Sequence, residues 1–180
     1  MPRDGKGINN KELTMRSREQ VLDELRQKIS QAEHPRELVV DVMLALQEHY
    51  GYLSDQAVEQ TASLLGMTLL EVEELATFYD FIYRQPVGRF VIRVCDSVVC
   101  WLEGGEPLAK HLQAKLGIPM GGTSSDGLFT LLPVCCIGYC DMAPAMLVNN
   151  RVYGNLTPER LDQILEELRG AHGAGKSQEQ

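Results

Sequence analysis

Hydrophobic positions recur with a helical period through the first half of the chain. Ser17 and Gln20 stand at capping-box spacing, and Val21, Leu22, Leu25 and Ile29 follow on one face. That pattern predicts a helix ended by His34-Pro35. Pro35 then opens a second helix carrying Leu38, Val42, Leu46 and Tyr50, until Gly51 stops it. Ser54 or Asp55 caps a third, with Val58, Ala62 and Leu65 inside it and Gly66 at its end. Thr68 with Glu71 makes a second capping box, leading into Val72, Leu75, Phe78 and Tyr79. Four short helices joined by tight punctuation predict a small helical bundle over residues 17–84.

The rhythm changes at Gln85-Pro86-Val87-Gly88. Phe90, Ile92 and Val94 alternate with Val91 and Arg93, a strand that delivers Cys95 at its C-terminal end. Pro107 sits in the first turn of a helix through Leu116, and Leu128 to Val134 is a second strand. Ala145–Val148 and Arg151–Tyr153 flank Asn149-Asn150 as a hairpin. Thr157 and Pro158 start a last helix with Leu161, Ile164, Leu165 and Leu168 on one face. The order β-α-β-β-α over residues 88–169 implies a small mixed sheet flanked by helices, so the chain as a whole is of the α+β class. The polar ends, 1–16 and 170–180, are expected to be disordered tails.

Composition narrows the function only by exclusion. The net charge is −8, of which residues 1–86 carry −6 and residues 87–180 carry −2. An acidic chain without a basic face is a poor partner for nucleic acid. The first twenty residues lack an apolar core, so no secretory signal is expected. No run approaches the roughly 20 apolar residues needed to cross a bilayer. Any membrane association is therefore expected to be indirect, through a partner.

The chemistry lies in the cysteines. Cys95 and Cys100 form a C-x4-C pair, and Cys136 and Cys140 a C-x3-C pair. Each pair follows a strand, so each is expected in a loop at a strand end, where a rigid sheet can hold a site. Three fates compete for four such thiols: a [2Fe–2S] cluster, a structural zinc site and disulfides. Zinc sites favour shorter knuckles, and a reducing compartment disfavours disulfides. The spacing also lacks the C-x2-C step of the common ferredoxin runs. Gly138 lets the second loop approach closely and point N–H groups at sulfur, while Asp96 and Asp141 border the two pairs and would disfavour an added electron. Cys135, beside Cys136, is expected to be a small buried hydrophobe on the opposite face, with a redox-sensitive thiol as the alternative. His34, His49, His111 and His172 are dispersed and expected at the surface. No G-x-G-x-x-G or Walker A motif offers a nucleotide site. The aromatic run Ala76–Tyr83 at the junction is expected either to pack between the halves or to form a docking surface.

The segments ATFYDFIYRQPVGRFVIRVCDSVVCWLEGG, TSSDGLFTLLPVCCIGYCDMAPAMLV and LTPERL resemble the E subunits of bacterial NADH–quinone oxidoreductase, respiratory complex I. The resemblance runs from about residue 17 to 170. It implies a helical N-terminal bundle followed by a thioredoxin-like α/β ferredoxin domain carrying one [2Fe–2S] cluster, with Cys95, Cys100, Cys136 and Cys140 as its cofactor-binding and metal ligands. It further implies an electron-transfer role in a translocating oxidoreductase of the respiratory chain. The FMN and NADH would lie on the partner F subunit, with the G subunit nearby, in a peripheral arm on the cytoplasmic side of the inner membrane. A related module of soluble NAD-linked hydrogenases or formate dehydrogenases is the alternative.

Overall fold

The computed structural model describes residues 17–176. The expected N-terminal tail, 1–16, lies outside them, as do residues 177–180. The chain divides into two compact units, Met1–Pro86 and Val87–Gln180.

The first unit is helical: α1 (Arg18–Ser30), α2 (Val39–Tyr50), α3 (Asp55–Leu65) and α4 (Leu69–Phe78). Both capping boxes form. Ser17 and Gln20 exchange bonds at 2.8 and 3.3 Å, and Thr68 and Glu71 at 2.7 and 3.2 Å. Each box satisfies two N–H groups that a helix start leaves without partners. Gly51 and Gly66 close α2 and α3 in the left-handed conformation, with φ of 82° and 60°. Pro35 does not open α2 directly. Pro35–Leu38 forms one 3-10 turn and α2 begins at Val39. Proline suits a first turn but brings no N–H, and His34 contributes no side-chain cap.

Val42, Met43, Leu46, Leu53, Ala57 and Val72 form the fully buried centre of this unit. The aromatic run packs on that same core, with Ile82 buried and Tyr79 and Phe81 partly so, while Phe78 is exposed. Gln47 pins it: its side-chain amide donates to the Phe81 carbonyl at 2.9 Å and accepts from the Tyr83 N–H at 2.6 Å. Arg84 donates to the Leu53 carbonyl, Asp55 and Glu73.

In the second unit β1 (Phe90–Cys95) leads to a short α5 (Val98–Leu102) and to α6 (Gly105–Leu116). Then follow β2 (Phe129–Val134), β3 (Met146–Val148), β4 (Arg151–Tyr153) and α7 (Pro158–Lys176). The sheet order is β2-β1-β3-β4, with β1 and β2 parallel and the other pairs antiparallel. Ile92, Val94, Phe129, Leu131 and Met146 meet Leu108 and Leu112 of α6 and Leu161, Ile164 and Leu165 of α7 in one core. The hairpin turns at Asn149, whose φ of 52° is a left-handed value that asparagine tolerates. Its side chain accepts from the Val91 N–H at 2.9 Å. The last helix runs on to Lys176, so residues 170–176 are helical rather than a tail. Glycine weakens a helix by about 1 kcal/mol per residue but removes no hydrogen bond, and no proline follows to stop it.

Candidate metal centre

Two parallel strands that end together create the site. Cys95 and Val134 stand opposite one another at the ends of β1 and β2. The Asp96 N–H donates to the Val134 carbonyl at 3.1 Å, and the Cys95 N–H to the Ala145 carbonyl at 3.2 Å. Three stretches of chain are thereby fixed at one end of the sheet: the exit from β1, the exit from β2 and the entry to β3. Cys95, Cys100, Val134 and Ala145 form a small buried cluster there, with Ile137 and Ala143 against it.

The two pairs are not both in loops. Cys100 is the buried residue of α5, 1% exposed, while Val98, Trp101 and Leu102 on the same turn are 72%, 57% and 68% exposed. Five residues without a polar face carry no readable helical period, so the pattern predicts no helix there; Ser97 before the turn and Gly104 after it are the signals that mark it. Gly105, the first residue of α6, lies against α5. A β-carbon there would fall 2.6 Å from the Cys100 carbonyl oxygen.

The second pair sits on a bend. Gly138 has φ of 81°, and Cys140 opens a single 3-10 turn, Cys140–Met142. The Asn155 N–H donates to the Met142 carbonyl at 2.6 Å, and a β-carbon on Gly154 would fall 2.5 Å from that of Met142. The turn is thus anchored by the two residues that follow β4. Cys136 and Cys140 are exposed, their sulfurs 3.5 Å apart. Cys135 is exposed too, which corrects the expectation of a buried hydrophobe. The alternation that would have turned it inward ends with β2 at Val134. His34 is exposed, whereas His49, His111 and His172 are half-buried; His111 lies 2.9 Å from Asp162, and His172 3.1 Å from Arg89.

Backbone N–H groups converge on the sulfurs. Burial would push the Cys95 thiol up, but the Ser97 hydroxyl, the N–H groups of Ser97 and Ile137 and the neighbouring Cys100 together hold it below its ordinary range. Burial pushes Cys100 up to about 11 against the pull of the Ala145 N–H, with the Cys95 and Cys140 charges adding to the rise. The Gly138 N–H, then Cys140 and Ser97, hold Cys136 down. Cys140 is raised, first because it donates to Cys136 and then by burial and the charges of Cys136, Cys95 and Asp141. A thiol binds metal as its thiolate, so any proton on these sulfurs must leave when metal binds.

This donor set suits two irons with two thiolates each. Thiolates on one tetrahedral ion, at about 2.3 Å from it, stand about 3.8 Å apart, close to the 3.5 Å between Cys136 and Cys140. Among the described residues no three histidine, cysteine or acidic side chains close on a single ion. The sulfurs gather two and two, and all five cysteines are free thiols.

A mixed sheet with four thiols at one strand-end edge defines an iron–sulfur protein of the thioredoxin-like kind. The chain belongs to the thioredoxin-like [2Fe–2S] ferredoxin family, whose model matches residues 25–169. Its cofactor is one [2Fe–2S] cluster. It is 43% identical to the E subunit of NADH-quinone oxidoreductase from Pseudomonas aeruginosa over 134 residues, covering 74% of this chain and 81% of that protein. To the protein of the same name from Escherichia coli K12 it is 43% identical over 137 residues, covering 76% and 82%. Among solved structures it resembles an NAD+-reducing [NiFe]-hydrogenase in the air-oxidized state, with 26% identity and a TM-score of 0.60. That match covers 84% of this chain but only 23% of the hydrogenase chain.

Proposed function

We propose that this chain is the electron-transfer subunit of an NADH–quinone oxidoreductase, with Cys95, Cys100, Cys136 and Cys140 as the ligands of its cluster. The observation that carries the proposal is the convergence of the two cysteine pairs at one end of the sheet, in a chain 43% identical to subunits of that complex. The cluster supplies reversible one-electron chemistry. The protein supplies the rest. Four thiolates hold the irons, and the N–H groups of Ile137, Ala145 and Gly138 offset the negative charge that gathers on sulfur. Cys95 and Cys100 face the apolar side, sheltered from water, whereas Cys136 and Cys140 lie at the surface where a partner can come close.

The partner is an NADH-binding module within a multi-subunit complex. In our reading it is the F subunit, which carries FMN and NADH, with the G subunit adjacent, in the peripheral arm on the cytoplasmic side. Among the described residues no helix is long and apolar enough to cross a membrane. Exposed Val98, Val99, Trp101 and Leu102 on α5, with Tyr139 beside Cys140, offer an apolar rim that suits a protein partner.

The hydrogenase likeness favours a second reading, the equivalent module of a soluble NAD-linked hydrogenase. The higher identity to the E subunits of NADH-quinone oxidoreductase, over more than four-fifths of their length, favours the first. Iron and sulfide analysis with EPR of the dithionite-reduced chain tests the cluster: two irons and two sulfides per chain are expected. Stoichiometric zinc without iron refutes it. Recovery of hydrogenase subunits instead of membrane-arm subunits with the affinity-tagged chain refutes the choice of complex.

A further inference from the structure

Ser97 occupies the N-cap of α5 with the backbone of a capping residue, φ −74° and ψ 163°, yet its side chain makes no capping bond. The other N-cap serines and threonines do: Ser17, Ser54, Thr68 and Thr157 each accept from the N–H three residues on. A serine that leaves its cap unmade forgoes about 1 kcal/mol of helix stability. Its hydroxyl is instead turned to sulfur. Ser97 Oγ lies 3.3 Å from Cys95 Sγ. It is half-buried, so water does not fully replace it.

We propose that Ser97 is a positioning residue for Cys95 and, by donating its single O–H to the Cys95 thiolate, raises the reduction potential of the bound cluster. The inference rests on the [2Fe–2S] reading above. A thiolate only accepts, so the hydroxyl must donate, to one sulfur at a time. One electron added by the flavoprotein donor, which loses the same electron, breaks no bond here but increases the negative charge on the sulfurs. A donor aimed at sulfur then strengthens, favouring the reduced form.

The test is a spectroelectrochemical titration of the full chain after anaerobic loading with ferrous iron and sulfide. Ser97→Ala, Ser97→Thr and Ser97→Val are compared with the parent, since threonine and valine have nearly the same shape and differ by the hydroxyl. At a fixed potential the reduced-to-oxidised ratio of Ser97→Ala and Ser97→Val is expected to fall about three- to tenfold, a drop of about 30–60 mV for one electron. Ser97→Thr is expected to restore the parent value. If Ser97→Ala and Ser97→Val lose the cluster while Ser97→Thr holds it at the parent potential, the hold of the hydroxyl on Cys95 is supported. Parent-like midpoints in Ser97→Ala and Ser97→Val, or a drop in Ser97→Thr equal to that in Ser97→Val, overturn the proposal. A parent chain that takes up no iron instead overturns the cluster reading itself, which separates the two failures.

Discussion

Gly105→Ala sets a gain in helix propensity against a collision with a cysteine-bearing turn, and the structure decides which wins. Alanine in place of glycine within a helix gains about 0.5–1 kcal/mol by restricting the unfolded chain. At Gly105 the new β-carbon would stand 2.6 Å from the Cys100 carbonyl oxygen and 3.0 Å from its carbonyl carbon. These are backbone atoms of α5, with no flexible end to swing aside. Reaching ordinary contact near 3.4 Å requires roughly 0.8 Å of separation between α5 and α6. Overpacking of that size costs about 1–3 kcal/mol, so the net expectation is a loss of about 1–2 kcal/mol. For a unit of this size each kilocalorie lowers Tm by about 4–8 °C. Because Cys100 is carried on the displaced turn, iron content should fall together with Tm. Scanning calorimetry of the apo chain and iron analysis of the loaded chain read the two effects. An apo Tm at or above the parent's, with iron retained, refutes the packing argument.

Further expectations follow from the same contacts. Serine at Cys95, Cys100, Cys136 or Cys140 should each sharply reduce iron per chain, whereas Cys135→Ser, at an exposed position off the site, should retain it; equal loss in the Cys135 variant overturns the ligand assignment. Arg84→Met removes donors to the Leu53 carbonyl and to Glu73. It should cost about 1–2 kcal/mol in urea unfolding, most of it from the half-buried carbonyl and little from the solvent-screened ion pairs. The Glu71 carboxyl is held below its ordinary 4.5, first by the Thr68 N–H and then by the Thr68 hydroxyl, with Arg36 adding. A depressed folded value stabilises fully above about pH 4.5 and is lost as pH falls below it. The stability gap between the parent and Glu71→Ala should therefore narrow from about pH 7 to about pH 3, and a gap that widens on acidification contradicts the capping role.

The helical unit was legible in the sequence almost element by element, because its boundaries are set locally. Ser17 with Gln20, Thr68 with Glu71, Gly51 and Gly66 each satisfy or end a helix using groups within four residues. The strand bearing Cys95, the turn at Asn149 and the Thr157-Pro158 helix start were equally local. Where neighbours in space rather than in sequence decide, the pattern was silent or misleading. Alternation placed Cys135 inside, but the sheet stops one residue earlier and leaves it exposed.

What the sequence alone determined is the kind of site: four thiols in two spaced pairs, each after a strand, with Gly138 free to bend the second. The tertiary structure decided how they meet. The parallel register of β1 and β2 brings Cys95 and Val134 level, and Ala145 ties the third segment to the same point. It also decided that Cys100 is buried on a helical turn and that a capping serine gives its hydroxyl to sulfur. Register and burial are settled by cross-strand bonds and by packing between segments about 40 residues apart in sequence, and a local pattern carries no record of such partners.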